Sequence, residues 1–138
     1  MRLTRRYRFA ASHRLHTPAL SEEENRKLYG KCNNPYGHGH DYVMDVTVEG
    51  PVDGAGHVVD RDAFDNLVRE RVLKELDHKN LNEDRPEFQA RVATTENLAH
   101  VVRGLLAKEW KLGAKLKTIR ISETDRNTFT LQVGEGQE

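Results

Sequence analysis

The chain reads as an α+β fold: a four-stranded antiparallel sheet with two helices on one face. Segments with two-residue alternation, segments with helical spacing, and their order (strand, strand, helix, helix, strand, strand) predict it. The first strand is "RLTRRYRFAASH", residues 2–13, where Tyr7, Phe9, Ala11 and His13 share a face. The second runs from His38 to Glu49, with His38, His40, Tyr42, Met44, Val46 and Val48 on one side. Between Asp60 and Leu76, Phe64, Leu67, Val68, Val72 and Leu76 recur at helical intervals, and Asp60 stands where a cap belongs. A second helix opens at "TTEN", carries Leu98, Val101, Val102, Leu105 and Leu106, and is expected to stop near Gly113. In "KLKTIRISET", Lys117, Ile119, Ile121 and Glu123 share a parity; "DRN" is a turn, and "TFTLQV" puts Phe129, Leu131 and Val133 on one side. "LSEEENRK" and the tail "GEGQE" read as loose ends.

At 138 residues, with no internal repeat or linker, residues 1–138 are expected to form a single domain. Lysine plus arginine number 22 and aspartate plus glutamate 22, a balance that argues against a nucleic-acid partner. No apolar run reaches the roughly 20 residues of a membrane span, and the lone cysteine and unremarkable start, "MRLTRRYRF", predict a cytoplasmic protein with a reduced thiol. A 36% hydrophobic content is lean, which favours stabilisation by oligomerisation.

The chemistry concentrates in "KCNNPYGHGHDY". A His-Gly-His triplet on a strand sends both imidazoles to one side, and the glycine lets another group approach the backbone. His13, ending the neighbouring strand on its apolar face, can bring a third nitrogen. Three neutral nitrogens with an open position make a catalytic zinc site; taken alone, His13 would be a core histidine. Cys32 precedes His38 by five intervening residues of turn-forming type. It can close the metal site as a fourth ligand, serve as a base with its pKa lowered by the ion and Lys31, or simply be buried. Asp77 and His78, where the first helix ends, pair an acid with an imidazole, or else His78 merely suits the helix pole. Glu123 points by parity into apolar surroundings and needs a partner, either an arginine or a ligand with adjacent N–H donors. Thr94, Thr95 and Glu96 can add polar contacts to such a ring or simply cap the helix. His16, His57 and His100 have no comparable company.

"FAASHRL", "KCNNPYGHGHDY", "LDHKNLN", "TTEN" and "ISETD", in this order, resemble the 6-pyruvoyltetrahydropterin synthase and 6-carboxytetrahydropterin synthase family from about residue 7 to residue 129. The resemblance implies the tunnelling fold, in which three subunits join their sheets into a barrel and two trimers stack as a homohexamer. It implies a zinc ion on His13, His38 and His40, with Cys32 as catalytic base and Asp77 with His78 as a second proton relay. Glu123 would anchor a pterin, helped by Thr94, Thr95 and Glu96. The implied substrate is 7,8-dihydroneopterin triphosphate. The pyruvoyl branch loses triphosphate with internal redox; the carboxy branch, of queuosine biosynthesis, also expels acetaldehyde. Five residues between cysteine and His-Gly-His match the pyruvoyl branch, where the carboxy branch typically has three. A non-catalytic pterin-binding module with a closed zinc site is the third reading.

Overall fold

Strands β1 (Arg2–His13) and β2 (His38–Glu49) pair antiparallel along their whole lengths, Arg2 opposite Glu49 and His13 opposite His38. Phe9, Ala11 and His13 turn to the same buried face as Tyr42, Met44, Val46 and Val48. A one-residue slip would expose the whole set, so hydrophobic parity fixes this register. β4 (Lys115–Thr124) continues the sheet beside β2, and β5 (Asn127–Gln132) beside β4, both antiparallel.

The computed structural model describes residues 1–134; the rest of the predicted loose tail lies outside them. Among the described residues the sheet has five strands instead of the expected four, in the order β3 (Lys79–Asn80)-β1-β2-β4-β5. The addition is β3, which runs parallel to Ala11 and Ser12 and is too short to carry a period. Parity also fails at Lys117. A bulge sets Thr118 against Thr47 but Leu116 against Val48, so Leu116 turns inward and Lys117 reaches towards Glu49.

"LSEEENRK" is not loose, because it holds helix α1 (Glu22–Tyr29), opened by a capping box: the Ser21 hydroxyl accepts from the Glu24 N–H while the Glu24 carboxylate accepts from the Ser21 N–H. Its single buried side chain is Asn25, so no apolar stripe announced it. The predicted helix after Asp60 is α2 (Arg61–Val68), a π-helical turn (Arg69–Leu73) and α3 (Lys74–Leu76). Phe64, Val68, Val72 and Leu76 are all fully buried. Residues four apart drift by about 40° per step in an α-helix. The wider π turn absorbs that drift and keeps the row on the core.

After α4 (Leu81–Asp84) and a 3-10 turn (Pro86–Gln89) comes α5 (Thr95–Ala107), capped by Thr94, whose hydroxyl accepts from the Asn97 N–H. It ends well short of Gly113. Glu109 takes a left-handed φ of 53°, and the Trp110 indole N–H donates to the Ala114 carbonyl at 2.9 Å, turning the chain into β4 instead. The sheet face away from the core is polar, with Arg6 on Asp45, Thr4 against Thr47 and Ser122 against Thr128. Among the described residues no helix is long and apolar enough to cross a membrane.

Candidate metal centre and active site

β1 and β2 deliver their histidines to one end of the sheet, and β4 brings Glu123 to the same place. His13 is fully buried, and its Nδ1–H donates to the Ala93 carbonyl at 2.7 Å. That bond fixes the tautomer and leaves the Nε2 lone pair directed at the cluster. His40 Nε2 lies 3.0 Å from His13 Nε2 and 3.0 Å from a Glu123 carboxylate oxygen, with Cys32 Sγ at 3.8 Å. The candidate ligand atoms of His13, Cys32, His40 and Glu123 all fall within 4.8 Å of one another. Such a set of two nitrogens, a sulfur and a carboxylate oxygen can hold a metal ion.

His38 stands beside this set; its ring meets that of His40 edge-on at 4.7 Å between centroids. Burial pushes the pKa of His13 and His40 below the ordinary histidine value; the Ala93 bond opposes this at His13 and the Glu123 charge at His40. Both shifts favour the neutral imidazole, the state that binds metals. Burial first, and the Glu123 charge second, push the pKa of the Cys32 thiol up.

Glu123 has its predicted inward orientation, but the His40 imidazole and a threonine meet it in place of an arginine: His40 Nε2 lies at 3.0 Å and Thr95 Oγ1 donates to its second oxygen at 3.1 Å. Thr95 is buried, Thr94 is the helix cap and Glu96 is exposed in the first turn. Asp77 and His78 do meet, at 3.1 Å, and the Asp77 carboxylate also accepts from the Ala10 N–H at 2.9 Å. His78 holds a left-handed φ of 60° while its own N–H donates to the Ala10 carbonyl at 2.6 Å. This pairing onto β1 carries the exposed His78 ring to a groove it shares with His40.

Two residues of the site escaped the sequence reading. Buried Asn33 donates to the Leu15 carbonyl at 2.7 Å and to His16 Nδ1 at 3.2 Å, while the Leu15 N–H donates to the Cys32 carbonyl at 2.6 Å. Asn33 thus stitches the cysteine loop to the segment after β1 and to His16. The doubled asparagine before proline signalled a turn but not this role. Gly37 has a φ of 85°, and a Cβ there would meet the His13 carbonyl oxygen at 3.4 Å. At Gly39, among the described residues, no atom beyond its chain neighbours lies within 4 Å of that position, so no close approach to it occurs there.

A family model described as 6-pyruvoyl tetrahydropterin synthase matches residues 2–133. The 6-pyruvoyl tetrahydrobiopterin synthase of Poecilia reticulata is 49% identical over 127 residues, covering 91% of this chain and 85% of that protein. The Homo sapiens protein of the same name is 46% identical over 126 residues, covering 91% and 86%. The structure of Caenorhabditis elegans 6-pyruvoyl tetrahydropterin synthase superposes with a TM-score of 0.90 at 37% identity, covering 97% of this chain and 96% of that one.

Proposed function

The chain belongs to the 6-pyruvoyl tetrahydropterin synthase family, and from that premise we propose that it converts 7,8-dihydroneopterin triphosphate to 6-pyruvoyltetrahydropterin with release of triphosphate. The observation that carries the reading is the convergence of His13, His40, Cys32 and Glu123 within 4.8 Å. Those donors fit zinc, with His13 and His40 as neutral nitrogen ligands. His38, whose ring is packed against that of His40, is the proposed third. When bound, zinc supplies Lewis-acid polarisation of the substrate's side-chain hydroxyls and a positive charge that counters the raised pKa of Cys32.

The chain's own residues then divide the work. Glu123 accepts the paired N–H donors of the pterin, held by the Thr95 hydroxyl; Thr94 and Glu96 sit at the same helix start. Cys32, 3.8 Å from His40 Nε2, takes the carbon-bound proton as thiolate. His78 moves protons from the other side of His40, its Nδ1 facing the Asp77 carboxylate that orients it. Asp77 is itself fixed by the Ala10 N–H. The five-residue interval between Cys32 and His38, with the names of the relatives, supports the pyruvoyl over the carboxy product.

Assembly of three sheets into a barrel, and of two barrels into a hexamer, belongs to the same proposal. It is supported by the two sheet edges: among the described residues, β5 and residues 2–10 of β1 have no strand on their outer sides. The test is to incubate the zinc-loaded protein with dihydroneopterin triphosphate and identify the products. A pyruvoyl pterin plus triphosphate is expected. Acetaldehyde with a carboxypterin would move the chain to the other branch, and no turnover with full metal would defeat the enzymatic reading.

A further inference from the structure

On the Cys32 side of the centre lies a cleft of about 420 Å³, bounded by Arg14, His16, Arg26, Lys31, Glu22 and His38. That size suits a small ligand. Most sheet arginines of this neutral chain are matched to acids, as Arg2 is to Glu49, Arg5 to Asp65 and Arg6 to Asp45. The three permanent cations of the cleft are not: among the described residues, Arg14, Arg26 and Lys31 have no carboxylate within ion-pair distance. Glu22 is the single acid on the wall.

The wall is also held in place. The Arg14 backbone N–H donates to the Asn82 side chain at 2.7 Å, and its Nε–H donates to the Asn33 carbonyl at 3.2 Å, which leaves the terminal nitrogens of the guanidinium for another acceptor. His16 Nδ1 accepts from buried Asn33, which puts the ring proton on Nε2 and makes that nitrogen a donor. The groove lined by His40, His78 and Lys79 has two carboxylates, Asp41 and Asp84, on its wall. A polyanion is repelled there and attracted to the cleft.

We infer that Arg14, Arg26, Lys31 and His16 form the receptor for the triphosphate group, so that the substrate chain runs from Glu123 past the metal nitrogens and Cys32 into this cleft, away from His78. The inference rests on the proposed substrate and gives it a direction. Cys32 then lies between the ion and the leaving group.

Arg26 and Lys31 are exposed and, among the described residues, their side chains make no hydrogen bond or ion pair, so Arg26→Gln and Lys31→Gln should fold normally. Lys27→Gln is the control, since Lys27 pairs with Glu23 outside the cleft. Titration calorimetry of the zinc-loaded proteins uses two probes, inorganic tripolyphosphate and unphosphorylated 7,8-dihydroneopterin. Each cleft variant is expected to weaken tripolyphosphate by about tenfold or more, and the control by less than about twofold, with dihydroneopterin affinity unchanged throughout. In turnover the cleft variants lower kcat/KM for the triphosphate substrate. The inference is overturned if wild-type protein fails to bind tripolyphosphate, if the cleft variants bind it normally, or if Lys27→Gln weakens it equally. The two readings fail separately. A protein that shows the tripolyphosphate pattern but does not turn over pterin triphosphate keeps the cleft and loses the reaction, whereas normal turnover with a flat tripolyphosphate profile does the reverse.

Discussion

Glu123→Gln keeps the shape of the side chain and removes its charge, which makes it the sharpest probe of the centre. One carboxylate oxygen stands 3.0 Å from His40 Nε2 and 3.7 Å from His13 Nε2, and the other takes the Thr95 hydroxyl at 3.1 Å. The side chain is only 15% exposed, so little water compensates for a change there. An amide still accepts from Thr95 through its oxygen. Its NH₂ then faces the donors of an incoming pterin, so one charge-assisted hydrogen bond becomes a donor–donor contact. Loss of a hydrogen bond to a charged group costs about 1.5–3 kcal/mol, which is roughly a 10- to 150-fold loss of affinity. The assay is calorimetric binding of 7,8-dihydroneopterin alongside zinc content by elemental analysis. Weakened pterin with full zinc supports the anchor role. Unchanged pterin affinity would refute it, and joint loss of zinc would make Glu123 a metal ligand.

Cys32→Ser should retain zinc and fold while turnover falls by about 10²-fold or more, as expected for loss of a positioned base; loss of the metal would instead make the thiol a ligand. Ser21→Ala removes the capping box of α1 and should cost about 1 kcal/mol, read from denaturant unfolding and faster amide exchange in residues 22–29. The Arg5 guanidinium, helped by the Tyr7 hydroxyl and opposed by burial, holds the Asp65 carboxyl below the usual aspartate range. Its contribution to stability is therefore complete above the unfolded-state pKa of about 3.9 and is lost as pH falls through the lower folded value. Asp65→Asn should destabilise the protein at neutral pH and flatten the acid limb of its stability curve; an unchanged limb would contradict the pairing.

Four of the five strands and both core helices were legible because each buries a regular row of side chains. What was missed lacks that row. α1 buries a polar residue, β3 is two residues long, and the bulge at Lys117 breaks the period it was read from. The π turn was hidden for a subtler reason. Phe64, Val68, Val72 and Leu76 fit a helix by inspection, yet a strict four-residue spacing departs from the α period, and that misfit was itself the signal. In the site, His13, His40 and Glu123 followed from strand parity. The Ala93 carbonyl and Asn33 did not, because bonds made by backbone groups across loops leave no pattern in side-chain type.

The cluster that joins positions 13, 32, 40 and 123 exists only when β1, β2 and β4 are assembled. An unfolded chain spreads those four donors along more than a hundred residues and offers an ion no comparable home. Any cation that occupies the cluster is therefore also a chaperone of the native state, worth about 2.7 kcal/mol when present at a hundred times its dissociation constant. Where an ion binds there, its supply also governs how long the chain survives proteolysis, and chelation should shorten its lifetime even where no substrate is present.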